Sequence, residues 1–113
     1  MIIKEVEVKG RKWNKESLKD LLKNNDMAVI RALLLIYSYQ TESEKEFAET
    51  TEDNGMGFNG VDAEILTSFV NWYKAHNYLS EKQMFLARKK IMKYAQQILN
   101  HMYNEQQKEV ANV

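Results

Sequence analysis

Asp26-Met-Ala-Val-Ile-Arg-Ala-Leu-Leu-Leu-Ile-Tyr37 is the stretch on which the architecture turns. Read at about 100° per residue, its apolar side chains leave no polar face. A helix that is apolar nearly all round belongs in the middle of a bundle, covered by neighbours on every side. Asp26 stands where an N-cap is needed, so the helix is expected to begin there. If it continues through Thr41–Ala48, Phe47 extends the buried stripe while the glutamates of that segment face water.

Working outward, Leu18, Leu21 and Leu22 have helical spacing, with Asn14 or Ser17 as cap and Asn24-Asn25 as stop. The preceding residues partly alternate apolar with charged side chains and end at Gly10. One strand has no sheet to join, so residues 1–12 are expected to form an extended arm. On the other side, Gly55, Gly57 and Gly60 cluster in a chain that contains no proline, and they mark its dominant break. A third helix is expected from near Asp62, carrying Ile65, Leu66, Phe69, Trp72, Tyr73 and His76, until Tyr78-Leu79 interrupts it. Ser80 with Gln83 three residues later forms a capping box for a fourth helix, running past Tyr94 to about Tyr103. Residues 105–113 are expected to fray. The fold class is therefore all-α: one domain of 113 residues, a compact bundle of three long helices plus one short N-terminal helix over residues 13–104.

Composition narrows the possible functions. With no cysteine, disulfides and thiolate metal sites are excluded. The longest apolar run, Ala32–Tyr37, is far too short to span a bilayer, and the N-terminus lacks signal-peptide organisation. A soluble, cytoplasmic protein without membrane contact is expected. His76 and His101 fit no metal-ligand spacing, no Ser, His and Asp arrangement can be read, and no cofactor motif is present. The expectation is a binding protein rather than an enzyme, with no metal and no cofactor.

Sixteen basic and sixteen acidic residues cancel, so total charge does not point to nucleic acid. The layout is polar all the same. Between Thr41 and Asp53, six acids face one lysine, a net of −5; between Trp72 and Asn100, six bases face one acid, a net of +5.

The fourth helix divides into two faces. Met84, Ala87, Ile91, Met92, Ala95, Ile98, Leu99 and Met102 fall together and belong to the core. Lys82, Lys89, Lys90 and Lys93, with Gln96 and Gln97, fall opposite. Such cations could follow a phosphate backbone with salt-sensitive affinity. They could equally be a solvated surface, or pair with the acidic segment. Arg88 lies in the apolar stripe, where it must be paired or snorkel. Asp62 and Glu64 are its candidate partners, and a ligand-facing role is the alternative. The glycine loop before Asp62 matches neither the dinucleotide fingerprint nor the P-loop. If Asn59 is the N-cap of the third helix, Asp62 at N3 already serves its free amides, and the same holds if Asp62 is itself the cap. Phe58 either pins the turn against the core or, if exposed, offers a base a stacking surface beside Asn59.

Three segments together resemble a family of small uncharacterised phage and prophage helical proteins. They are Asn54-Gly-Met-Gly-Phe-Asn-Gly-Val-Asp-Ala63, Leu79-Ser-Glu-Lys-Gln83 and Arg88-Lys-Lys-Ile-Met-Lys-Tyr94. Ala28–Leu34 and Tyr37–Thr41 fit the same pattern, so the likeness covers roughly residues 28–97. A similar pattern is appended to helicase-like proteins of mobile elements. The resemblance implies a phage protein acting near DNA metabolism in the bacterial host cytoplasm, and it carries over no catalytic or ligand-binding residues. Two partners follow as expectations. One is nucleic acid, or a nucleic-acid enzyme, met by Lys82, Lys89, Lys90 and Lys93 with Phe58 and Asn59 nearby. The other is a host defence nuclease, inhibited in the manner of an anti-CRISPR protein through Glu42, Glu44, Glu46 and Glu49. The apolar second helix is satisfied by burial within one chain or between two, which also allows a homo-oligomeric scaffold.

Overall fold

The computed structural model describes the backbone of residues 3–47 and 57–111 and the side chains of residues 3–39 and 57–107. The order is β1 (Glu5–Val8), β2 (Arg11–Asn14), α1 (Lys15–Asn24), α2 (Asp26–Phe47), α3 (Ala63–His76), α4 (Glu81–Ile91), a single 3-10 turn (Met92–Tyr94) and α5 (Ala95–Ala111). The protein is thus mostly helical with one small sheet, and broadly all-α. It differs from three long helices plus one short one at both ends.

At the N-terminus the expected arm is a β-hairpin. β1 pairs antiparallel with β2, Val6 opposite Trp13 and Val8 opposite Arg11. The two turn residues, Lys9 and Gly10, both have positive φ (51° and 81°), as a type I′ hairpin turn requires. The strand therefore has a partner: Trp13, expected to open the first helix, belongs to β2. Val6 is buried, and the Ile3 carbonyl accepts from Gln96 Nε2 at 2.8 Å, which fastens the hairpin to α5. The Arg11 guanidinium covers the Trp13 ring at 4.1 Å.

Asn14 caps α1 through a reciprocal box with Ser17, each side chain bonded to the other's backbone at 2.9 Å. Asn25, not Asp26, caps α2: its side chain accepts from the Ala28 N–H at 3.1 Å and its carbonyl from Val29. Asp26 then occupies the first helical position, where its charge still favours the N-terminal end of the dipole.

α2 touches each of the other four helices, and Val29, Leu33 and Ile36 have no more than 2% exposure. The middle-of-bundle expectation holds for these residues but not all round: Met27 is 47% exposed and Arg31 is exposed, so one edge of α2 meets solvent. Leu66, Val70, Ile91 and Leu99 complete the most buried layer from α3, α4 and α5. α3 ends on Asn77 in the left-handed region (φ 66°), whose N–H donates to the Tyr73 carbonyl at 2.7 Å. Ser80 and Gln83 close the capping box of α4 at 2.8 and 3.2 Å. α4 and α5 form a single rod interrupted by the 3-10 turn, and α5 remains helical to Ala111, beyond the point where fraying was expected. Among the described residues no helix is long and apolar enough to cross a membrane.

Candidate functional site

The glycine loop and the α4–α5 rod meet at one buried carboxylate. Asp62 has 0% exposure and is the one buried charged residue among those described. Its Oδ2 accepts from Lys93 Nζ at 2.6 Å and from the Tyr94 hydroxyl at 2.9 Å, and its Oδ1 accepts from Lys90 Nζ at 3.3 Å. Lys90, Lys93 and Tyr94 stand at i, i+3 and i+4, so one rod face presents all three to the loop. Gln97, one further turn along, makes a two-point contact with Gly57: the Gly57 N–H donates to Oε1 at 2.9 Å and Nε2 donates to the Gly57 carbonyl at 3.1 Å. Gly57 holds φ at 114°, a conformation that a side chain would strain. The Asn59 N–H donates to the Tyr94 hydroxyl oxygen at 3.0 Å, so that hydroxyl relays the loop backbone to Asp62.

The electrostatics follow from this packing. Burial alone raises the Asp62 carboxyl. Hydrogen bonds from Lys93, Tyr94 and Lys90, with the Coulomb attraction of Lys93, outweigh it and hold the group below its ordinary 3.8. The Tyr94 phenol is pushed up to about 12, first by burial and then by the adjacent Asp62 charge, against the opposing donation from Asn59. Asp62 with Lys90, Lys93 and Tyr94 thus latches the loop to the rod, and this latch is ionised at Asp62 and neutral at Tyr94 throughout the physiological range.

Several residues read from the sequence now change role. The Asp62 side chain caps no amide of α3, although its carbonyl accepts from the Leu66 N–H at 2.9 Å; Asn59 takes the amides just before, its Oδ1 accepting from the Asp62 N–H at 3.0 Å and its carbonyl from Ala63 at 2.9 Å. Phe58 is buried and meets the Tyr94 ring edge-on at 5.9 Å, so it pins the turn rather than offering a face for stacking. Arg88 pairs with neither Asp62 nor Glu64. Its Nε donates to the Leu22 carbonyl at 2.8 Å and its Nη2 binds the Asp26 carboxylate. One guanidinium thereby satisfies the C-terminal end of α1 and the N-terminal end of α2, both favourable for its charge or its partner's. The ion pair expected of Arg88 is present, with a different partner.

The four lysines of the basic face divide in two. Lys90 and Lys93 are drawn to Asp62, with side chains 28% and 50% exposed. Lys82 and Lys89 are exposed and make no ion pair with another described residue. Between them, at i+3 and i+4 from Lys82, lie Phe85 and Leu86, whose exposures of 68% and 37% are high for large apolar side chains. Phe85 and Leu86 escaped the sequence reading, which sorted α4 into core and cations and left these two unassigned. The spacing carried the signal: Lys82, Phe85, Leu86 and Lys89 share one face. Glu42, Glu44 and Glu46 belong to α2, but their side chains, and Glu49 altogether, lie outside the described residues.

Among the described residues no group of three His, Asp or Glu side chains is arranged to hold a metal ion. His76 stacks on Trp72 at 3.8 Å and its Nδ1–H donates to the Trp72 carbonyl at 3.0 Å, while His101 shares a 2.5 Å hydrogen bond with the Tyr39 hydroxyl. Fold and surface together define a small helical module with a latched loop and one open face of alternating cation and apolar character. Comparison of the chain with family models, curated proteins and solved structures gave no match.

Proposed function

We propose that this protein is a non-catalytic accessory module that binds nucleic acid through the open face of α4. The observation that carries the reading is the exposed stripe Lys82, Phe85, Leu86 and Lys89, free of acidic partners among the described residues. Cations on one rigid helix suit phosphates, and exposed apolar side chains between them suit a partner that brings more than charge. Two lysines share Asp62, so the latch leaves about one net positive charge beside the stripe. Some two or three phosphates are then engaged, and the logarithm of affinity should fall with the logarithm of salt at a slope of about −2. Binding is therefore modest and electrostatic, as befits an accessory to a larger DNA-processing assembly. The resemblance of residues 28–97 to phage and prophage proteins, and to segments of helicase-like proteins, supports a place in phage DNA metabolism within the bacterial cytoplasm.

The test is retention of labelled DNA by the full chain in low-salt buffer, followed through a salt titration. Wild type is expected to retain the probe with the stated slope, and K82E/K89E to lose it. Absence of retention by wild type, or retention unchanged in K82E/K89E, rejects the reading.

A further inference from the structure

We infer that the open face of α4 takes single-stranded rather than duplex nucleic acid, with Phe85 as a stacking platform for one unpaired base; this rests on the nucleic-acid reading above. Phe85 is 68% exposed at the centre of its stripe, whereas Phe58 and Phe69 are buried. Among the described residues nothing packs over Phe85 to explain a phenylalanine of that exposure. Lys82 lies one turn before it and Lys89 one turn after, separated by about 10 Å along the helix axis. That span brackets the ring with a cation on each side, where the phosphates flanking a splayed base would run.

In a duplex the base faces are already covered by their neighbours. Phe85 could reach one only by wedging a step open, at a cost of a few stacking interactions that this short stripe has no further contacts to offset. A single strand presents its base faces without that cost, and cations interleaved with an aromatic ring are the combination such strands use. Leu86, partly exposed beside the ring, extends the apolar contact to the sugar or the base edge. The ring has no donor or acceptor, and its stripe neighbours are lysine and leucine, so binding should tolerate sequence. Glu81 borders the same shallow depression as Lys82, Phe85 and Leu86 and repels phosphate at the N-terminal edge. The strand is therefore directed from Lys82 towards Lys89 and the half-exposed Lys93.

The experiment compares a fluorescein-labelled oligothymidylate with a labelled duplex of equal length by anisotropy, using the full chain as wild type, F85A, F85W and K82E/K89E. Wild type should bind the single strand several-fold more tightly than the duplex. F85A should weaken single-strand binding by about 5- to 150-fold, the range for loss of one stacked base, and leave duplex binding nearly unchanged. F85W should retain affinity and show its added tryptophan fluorescence quenched by the oligonucleotide. Because the side chain is exposed, both variants should melt with wild type, which separates lost stacking from lost folding. Equal binding of strand and duplex, with F85A at wild-type affinity and K82E/K89E defective, would overturn the stacking inference while the nucleic-acid reading stands. No retention of either probe by wild type would overturn both, and would leave Phe85 as an anchor for a protein partner.

Discussion

Two stripes of identical spacing lie end to end on the α4–α5 rod, and their fates differ. Lys82, Phe85, Leu86 and Lys89 occupy i, i+3, i+4 and i+7; so do Lys90, Lys93, Tyr94 and Gln97. The second stripe is closed by the glycine loop, with Asp62 receiving three of its side chains and Gly57 the fourth. Among the described residues the first meets no loop. Both contain two cations, so lysine content does not tell them apart. The difference lies in what stands between the lysines and in whether another segment supplies a buried acid. A tyrosine and a glutamine can hydrogen-bond a folded loop, whereas a phenylalanine and a leucine cannot satisfy a backbone. Of the two, the first stripe is, among the described residues, the one left fully open to an outside partner.

The contrast breaks most sharply at Asp62. D62N should destabilise the fold by about 2–3 kcal/mol, less than for a fully buried pair because water reaches Lys93. Urea or thermal unfolding would show it. The same variant frees two cations and should steepen the salt dependence of DNA binding by about one. Loss of stability with unchanged or stronger binding is the expected signature, and a D62N variant as stable as wild type would deny the latch its role.

Y94F comes next, at about 1–3 kcal/mol, since it removes a donor to a buried carboxylate and leaves the Asn59 N–H without its acceptor. Its pH signature is more specific. The Tyr94 phenol titrates higher in the folded chain than in the unfolded one, so the latch contribution is whole below the ordinary 10 and lost as pH rises towards about 12. Y94F should lack that alkaline decline. For Asp62 the sign is opposite: its folded value is lowered, so its contribution is present above 3.8 and lost as pH falls through the lowered value. Acid unfolding of D62N should begin from a lower plateau and lose this component.

Q97A removes the two-point contact with Gly57 and should cost about 1 kcal/mol, measured by the same unfolding curves. The smallest stability effect belongs to the open stripe. K82E/K89E should change unfolding by less than about 0.5 kcal/mol, the usual limit for exposed positions, while DNA retention collapses. A large destabilisation there would mean that the stripe is structural after all.

Much of this fold was legible in the sequence where local and tertiary demands agree. The mostly apolar Met27–Tyr37 segment reads as central and is so at Val29, Leu33 and Ile36, though Met27 and Arg31 are exposed, and the Ser80–Gln83 and Asn14 caps satisfy amides within a single turn. Other features depend on elements distant in sequence. The hairpin was missed because Lys9-Gly10 lacks the strongest turn dipeptides and Trp13 reads equally well as the start of a helix. Arg88 was paired with acids near α3, whereas the α1–α2 corner brings Asp26 to it from 62 residues away. Asp62 looked like an ordinary first-turn acid, since nothing local reveals that Tyr94 and two lysines converge on it. Of the proposed contact residues, Lys82 and Lys89 are exposed as expected, while Phe58 is buried and the better aromatic, Phe85, had been passed over.

The division of the rod is tested most directly by residue-resolved acylation of lysines in the folded chain, read by mass spectrometry with and without oligothymidylate. Lys82 and Lys89 should react first, Lys93 more slowly and Lys90 last, with the oligonucleotide protecting Lys82 and Lys89. Equal reactivity at all four positions in the free protein, or protection confined to Lys90 and Lys93, would contradict it.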